Sequence, residues 1–146
     1  LDPTAAAGRD AALRTGAVPP PPPLPRLGPG AHLGTGDAGL AGGLAVQGTV
    51  RIGDREGRSD DVVGAGFTLV VDGSLPDADR ATASELGVAT VELGDRAADL
   101  DGALTAWLRG SGVAASISRP DGYVFGTVDS IDGITGLLEA LSTRLR

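Results

Sequence analysis

An arginine and an aspartate lie two positions apart within Arg119-Pro120-Asp121-Gly122, near the end of the chain. Such a pair of opposite charges could bind a ligand or a neighbouring domain. The same residues also encode a tight turn, because proline presets φ at the second position and glycine adopts the left-handed conformation at the fourth. We predict a hairpin loop of three or four residues, with Arg119, Asp121 and Tyr123 as candidate contacts to another domain.

Three glycines, Gly34, Gly36 and Gly39, match the G-x-G-x-x-G pattern of dinucleotide-binding loops. That pattern binds a pyrophosphate only where a strand precedes it and a helix follows, because amides at the helix N-terminus contact the phosphates. Here a proline-rich stretch precedes the glycines, and the chain contains 24 glycines in all. We therefore interpret the match as a flexible loop that binds no cofactor.

Two other places in the sequence, an aspartate pair and a lone histidine, could indicate a metal site or an active site. Asp60 and Asp61 could act as metal ligands, but adjacent side chains on a strand point to opposite faces. We interpret them as the solvated exit of a turn. His32 has no acidic or serine partner placed by the sequence, so no catalytic triad can be argued. We interpret it as a linker residue.

The composition excludes several classes of chemistry. The chain contains no cysteine, which excludes disulfides, thiolate metal sites and a cysteine nucleophile. Its net charge is -7 and it has no cluster of basic residues, so phosphate backbones would be repelled and nucleic acid is not an expected partner. No run of apolar residues approaches the length of about 20 that spans a membrane. The N-terminus also lacks the basic-then-apolar pattern of a secretion signal. We predict a cytoplasmic protein without membrane contact.

Three zones differ in composition along the 146 residues. Residues 1–16 are rich in alanine and arginine and predict a helix, which we interpret as the tail of a preceding domain. Residues 17–47 contain five consecutive prolines and many glycines, which predict a semi-rigid linker. Residues 48–146 carry the regular apolar patterns of a folded domain. Because the chain lacks methionine, we expect it to be part of a longer protein.

Apolar periodicity within residues 48–146 predicts the order β-α-β-α-β-β-α, preceded by a short hairpin. Strands are predicted at 48–52, 66–73, 88–93, 113–118 and 123–128, and helices at 75–87, 97–110 and 130–146. Between the first two predicted strands we predict a polar turn, followed by residues that lead into the second strand. The predicted apolar stripes of the last two helices are Leu100, Leu104, Trp107 and Leu108, and Ile131, Ile134, Leu138, Leu141 and Leu145. This order is that of an α/β, thioredoxin-like fold, in which a four-stranded mixed sheet has helices on both faces.

Asp72-Gly73-Ser74 lies where the second predicted strand meets the helix at 75–87. Redox-active thioredoxin-like proteins carry their cysteines at this position, so thiol chemistry is excluded here. Ser74 also lacks a base that could activate its hydroxyl. The amides of the helix N-terminus could still bind an anion.

Three segments carry a more specific resemblance: LAGGLAVQGTVR at 40–51, DDVVGAGFTLVV at 60–71 and SRPDGYVFGTV at 118–128. They resemble the C-terminal region of class A FAD-dependent aromatic hydroxylases, with the 3-(3-hydroxyphenyl)propionate hydroxylase-like monooxygenases as the closest group. In that family a D-D-x-x-G-x-G-F segment opens the C-terminal thioredoxin-like domain, and an R-P-D-x-Y-V segment forms the late hairpin. The matching positions in this chain are Asp60, Asp61, Gly64, Gly66 and Phe67, and Arg119, Pro120, Asp121, Tyr123 and Val124.

The resemblance implies that the parent protein binds FAD, takes hydride from NADH or NADPH and hydroxylates a phenolic ring. Within residues 1–16, AAAGRDAALR is similar to the last helix of the family's flavin domain. The FAD-contacting motifs of the family lie upstream, so we expect this chain to bind no cofactor and no metal and to supply no catalytic residue. The expected partners are the upstream flavin domain of the same polypeptide and a second copy in a homodimer.

Two alternative functions stay open, because a fold analogy alone cannot choose among them. The chain could be a free-standing, redox-inactive interaction module that the proline segment tethers to a partner. It could also be a small-molecule binding domain that uses the amides near Ser74.

Overall fold

The computed structural model describes residues 3–14, 22–24, 26–28, 30, 32–33 and 39–146. The glycines at 34 and 36 and the first three prolines of the run lie outside these residues, so the predictions made on them have no structural outcome. Helix α1 (Pro3–Arg14) confirms the predicted first helix. No helix in the described part of the chain has the length and apolar character needed to cross a membrane.

The folded region is built on one mixed sheet with the strand order β2-β1-β5-β4-β3-β6-β7. Its strands are β1 (Thr49–Ile52), β2 (Arg55–Arg58), β3 (Thr68–Asp72), β4 (Ala89–Leu93), β5 (Ala97–Asp99), β6 (Ala115–Ser118) and β7 (Val124–Val128). The α/β class and the mixed sheet are confirmed, but the predicted number of four strands is wrong. The sheet has seven, because β5 pairs with both β4 and β1 and so joins the first hairpin to the sheet.

Four of the seven strands have the connectivity that the sequence predicted. Strand β3 runs parallel to β4 and antiparallel to β6, and β7 runs antiparallel to β6. Both faces of β3 are covered: Leu69 and Val71 belong to one core, whereas Val70 packs against the other. This matches the apolar residues on both faces of the predicted central strand.

Helices cover both faces of the sheet. They are α2 (Ser59–Val63), α3 (Asp77–Glu85), α4 (Ala103–Gly110) and α5 (Ile134–Leu145), the last preceded by a 3-10 turn at Ile131–Gly133. Helices α3 and α5 pack on the core that contains Leu69, and α2 and α4 pack on the core that contains Val91. The buried carboxylate of Asp79 on α3 accepts a hydrogen bond from the Thr135 hydroxyl on α5 at 2.8 Å, which links the two helices.

The helix predicted at 97–110 begins later than expected. Ala97–Asp99 is strand β5, and α4 begins at Ala103. Leu100, predicted on the buried stripe, is 40% exposed because it lies outside the helix. Two aspartates ahead of the helix bind its first turn: Asp101 accepts from the Ala103 amide and Asp99 from the Thr105 amide.

The region between β1 and β3 was predicted as a polar turn, and this prediction is wrong. It contains a two-residue turn, strand β2 and helix α2. The Arg55–Arg58 segment is polar because it forms the exposed edge of the sheet, so it shows no apolar alternation. Asp60 and Asp61 therefore lie in the first turn of a short helix rather than on a strand, and both are exposed.

The buried face of the last helix also differs in part from the predicted stripe. Ile134, Leu138 and Leu141 are buried as expected, but Leu145 is half exposed because it ends the helix one turn beyond the core. Leu137, absent from the predicted stripe, is buried.

Part of the predicted linker is hydrogen-bonded to the outer edge of β7. The Leu33 amide donates to the Phe125 carbonyl at 2.8 Å. The Gly42 amide donates to the Val124 carbonyl at 2.9 Å, and the Val124 amide donates to the Gly43 carbonyl at 2.8 Å. These bonds satisfy backbone groups that an edge strand would otherwise expose.

Replacing Gly126 in β7 with alanine is expected to destabilise the fold by about 1–3 kcal/mol, the usual cost of overpacking a core. An added Cβ would lie 2.6 Å from Leu33 Cδ1 and 2.9 Å from Leu137 Cδ1. The measurement is the free energy of unfolding in urea. Gly136→Ala in α5 is the control, because nothing lies within 4 Å of its added Cβ. Equal stability of the two variants would contradict the close packing of Leu33 on β7.

Candidate functional site

The turn between β6 and β7 has the predicted geometry. The Gly122 amide donates to the Arg119 carbonyl at 3.0 Å, and the Arg119 amide donates to the Tyr123 carbonyl at 2.8 Å. Gly122 has a φ of 79°, the left-handed conformation that the sequence predicted for it. The Arg119 guanidinium lies 2.6 Å from the Asp121 carboxylate, so the two predicted contact residues form an ion pair with each other.

A cleft of about 630 Å³ opens between this turn and helix α2. We call it the hairpin cleft. Its floor is formed by Thr68, Val70 and Ser118 of the sheet, and its walls by residues 59–66 and 119–122. Residues 45–47 close a third side. Arg119 and Asp121 therefore lie at its rim, whereas Tyr123 is not among the residues that line it and pairs instead with Leu44.

The hairpin cleft is acidic. The Asp60 carboxylate accepts a hydrogen bond from Gln47 Nε2 at 2.8 Å, and the Arg58 Nε lies 3.9 Å away. The Asp61 carboxylate has no hydrogen-bond or ion-pair partner among the described residues, although the Asp61 carbonyl accepts from Arg55 at 3.1 Å. No group of three or more potential metal ligands occurs in the described part of the chain.

The loop between β3 and α3, where an anion site was considered, is occupied by the chain's own carboxylates. The Ser74 hydroxyl donates to Asp95 Oδ2 at 3.0 Å. The Leu75 amide donates to Glu92 Oε2 at 2.8 Å, and Glu92 is only 2% exposed. Because this buried carboxylate accepts from the Leu75 amide, that amide is not available to an external anion.

The buried Glu92 forms an ion pair with the partly buried Arg80, which sequence reasoning missed. Arg80 Nε donates to Glu92 Oε1 and Nη2 donates to Oε2, both at 2.9 Å. The same guanidinium also bonds the Leu75 carbonyl at 2.6 Å and contacts the Asp77 carboxylate. The hydrogen bonds from Arg80 lower the pKa of Glu92, and the pKa of Arg80 is raised in turn. The available signal was a single charged residue inside the apolar strand VATVEL.

His32 is fixed by its own segment of backbone. Its Nδ1 lies 2.8 Å from the Leu33 carbonyl oxygen, and its Nε2 lies 2.9 Å from the Gly28 carbonyl oxygen. No carboxylate or serine of the described residues contacts the ring. This agrees with the interpretation of His32 as a linker residue.

A family model described as the HcaD C-terminal domain matches residues 42–144. The chain belongs to this family. The resemblance to the C-terminal region of FAD-dependent aromatic hydroxylases is thereby confirmed, and the solved structures similar to this HcaD C-terminal domain agree with it.

A relative of the domain is a probable NADH-specific resorcinol 4-hydroxylase from Rhodococcus jostii (strain RHA1), 31% identical over 121 residues. The match covers 70% of this chain but only 23% of that protein. Two solved structures are each 28% identical: aklavinone-11 hydroxylase with FAD and aklavinone (TM-score 0.55), and the OxyS anhydrotetracycline hydroxylase from Streptomyces rimosus (TM-score 0.52). They match 71% and 74% of this chain and 21% of their own. The domain therefore spans about a fifth to a quarter of the length of these relatives.

The flavin-dependent monooxygenase PieE, in complex with FAD and substrate, shares the fold. It is 24% identical with a TM-score of 0.56, and the match covers 97% of this chain and 29% of that one.

The three segments that carried the resemblance converge on the hairpin cleft of the HcaD C-terminal domain. The D-D-x-x-G-x-G-F segment supplies α2 and the following loop, and the R-P-D segment supplies the opposite wall. The LAVQG stretch supplies the third side through residues 45–47. Segments that are far apart in the sequence thus meet in one place on the surface.

Replacing Glu92 with glutamine is expected to lower the free energy of unfolding by about 1.5–3 kcal/mol near neutral pH, because the buried position loses its charge-assisted hydrogen bonds from Arg80. The folded-state pKa of Glu92 lies below its ordinary value of 4.5. Its stabilising effect is therefore complete above pH 4.5 and is lost as the pH falls below that value.

The measurement is urea unfolding of both proteins from neutral pH down to acid. The difference between wild type and Glu92→Gln should shrink as the pH falls below 4.5. Glu139→Gln, at an exposed position of α5, is the matched control and should change little. A difference that does not vary with pH would show that Glu92 is not an ionised partner of Arg80.

Proposed function

We propose that this chain is the C-terminal, non-catalytic domain of an FAD-dependent monooxygenase that hydroxylates an aromatic substrate with NADH or NADPH and O2. The family match over residues 42–144 carries the proposal, supported by 31% identity to a probable NADH-specific resorcinol 4-hydroxylase. The chain covers 23% of that relative, so the reaction is assigned to the parent polypeptide as a whole. The domain is assigned a thioredoxin-like fold without thiol chemistry, since the chain has no cysteine.

A poor fit to FAD supports the non-catalytic role. A pyrophosphate is bound by free backbone amides and unpaired cations. The hairpin cleft instead carries Asp60, Asp61 and Asp121, and its Arg119 is paired with Asp121. The amide next to α3, at Leu75, is bound to Glu92. We therefore assign the FAD and nicotinamide sites to the flavin domain.

The proposal includes three further predictions from the sequence, on the domain boundaries, the compartment and the partners. Residues 1–16 end the flavin domain, residues 17–47 are the linker, and residues 48–146 form the C-terminal domain. The parent enzyme works in the cytoplasm, and its partners are its own flavin domain and a second copy of the polypeptide.

The coding DNA upstream of Leu1 provides the first test. We expect an open frame of several hundred codons that encodes a strand, a G-x-G-x-x-G segment and a helix near its start, as a flavin domain requires. The purified parent protein should carry FAD and oxidise NADH or NADPH when a phenolic compound is added. A stop codon followed by a start codon just before Leu1, or a parent protein without flavin, would contradict the proposed function.

The contact role of the hairpin turn has its own test in the parent enzyme. Arg119→Ala is expected to lower the melting temperature and the fraction of FAD retained, because it removes the guanidinium that fixes the turn at the rim of the cleft. Arg51→Ala is the control, since Arg51 also forms an ion pair, with Glu56, but does not line the cleft. If Arg119→Ala behaves like Arg51→Ala, the predicted interdomain role of Arg119 is wrong.

A further inference from the structure

A segment without regular secondary structure, which we call the strap, lies along the outer edge of β7. It has two arms, the described residues from 26 to 33 and the residues from 39 to 45. In the first arm, the Leu33 amide donates to the Phe125 carbonyl of β7, and the Leu27 amide donates at 2.8 Å to the Gly42 carbonyl of the second arm. The strap therefore bonds to the sheet and also bonds its own two arms together.

The ring of His32 lies where the two arms meet. Its Nδ1 is 2.8 Å from the Leu33 carbonyl oxygen, and its Nε2 is 2.9 Å from the Gly28 carbonyl oxygen. A Cβ added to Gly42 would lie 3.2 Å from Nε2 and 3.3 Å from Cε1, so the backbone of the second arm packs directly on the ring. The half-buried ring thus bonds one arm and contacts the other.

The two carbonyl oxygens determine how many protons the ring of His32 carries. A neutral imidazole has one N–H donor, and its other nitrogen is an acceptor. A carbonyl oxygen only accepts, so a bare ring nitrogen at 2.8 or 2.9 Å from it would bring two lone pairs together. Both contacts are hydrogen bonds only when both nitrogens carry hydrogen, which is the charged imidazolium form.

No ion pair explains this preference for the charged ring. Among the described residues no carboxylate contacts His32, and the other charged side chain of the strap is Arg26. Its guanidinium donates to the Ala41 carbonyl at 3.0 Å and contacts the Gly39 carbonyl. Because the charge of Arg26 acts against a second positive charge, the imidazolium is stabilised by the two carbonyl oxygens alone.

The elements next to the strap add no charge that would compensate the ring. The part of β7 that the strap bonds consists of Val124 and Phe125, and Leu33 packs on the core that includes Leu137 of α5. The charged side chains of α5, Glu139 and Arg144, are exposed.

The hairpin turn meets the strap at its far end, through the Ala45 amide and the Gly122 carbonyl. There Arg119 and Asp121 are paired with each other. Tyr123 is paired with Leu44 of the second arm.

We infer that His32 is a pH-sensitive latch that holds the first arm of the strap on β7 only while its ring is charged. Histidine changes charge between about pH 5 and 8. Because the attached arm requires the protonated ring, attachment is strongest in acid and is lost as the pH rises and the ring gives up its second proton. Release frees the Phe125 carbonyl and removes Leu33 from its position over Gly126. The inference is independent of the proposed function.

The first test is amide hydrogen exchange of the full parent protein, read in a peptide that covers residues 26–33. Exchange is expressed relative to the rate of an unstructured peptide at the same pH. Protection should fall about tenfold from about pH 6 to about pH 9, the effect of losing one hydrogen bond from a charged group. The amides of β4 serve as the internal control and should keep their protection. His32→Gln, whose side chain does not titrate, should show no such fall.

The second test follows the ring itself by ¹⁵N NMR of histidine-labelled parent protein, with the His32 signals identified by their absence from His32→Gln. Both ring nitrogens should carry hydrogen wherever the strap is protected, and the loss of the second proton should share one midpoint with the loss of protection. A strap that stays protected while one nitrogen is bare would overturn the inference. So would protection that does not vary with pH, or an equal fall in His32→Gln, which would assign the effect to another group.

Discussion

The position of the hairpin cleft depends on a junction made by two carboxylates, Asp99 and Asp101. Asp101 accepts from the Thr49 amide at 2.9 Å and from the Ala103 amide at 3.1 Å, and these bonds lower its pKa. Asp99 accepts from the Thr105 amide at 2.8 Å. The bond from Thr49 joins β1 to the loop where β5 ends and α4 begins, beside the pairing of β1 with β5. Helix α2 follows directly from the β1–β2 hairpin, so one wall of the cleft is held by this junction.

A second junction fixes the other side of the sheet. Glu92 is buried on β4, yet its carboxylate is fully engaged by Arg80 and by the Leu75 amide. The loop before α3 is thereby occupied by the domain's own charged groups. The surface open to a partner lies instead at the hairpin cleft, where the family's matching segments meet.

The sequence was sufficient for features that depend on local pattern. The alternation at 67–71 predicted a central strand, and Pro120-Asp121-Gly122 predicted the hairpin turn. Strand β5 was missed because three residues show no alternation, and Leu100 happened to extend the apolar stripe of α4 by one turn. The Glu92 ion pair and the cleft were not predictable in the same way, because each joins residues that only the tertiary fold brings together.

The backbone bonds between the 42–45 segment and β7 also determine how this sheet can associate. They occupy the start of the edge at β7, and within the described residues the opposite edge of the sheet is β2 (Arg55–Arg58). That strand carries two arginines and a glutamate, and charged side chains oppose the addition of a further strand. Neither edge therefore offers an open row of backbone groups to a further strand, which opposes the strand-by-strand growth that leads to fibres.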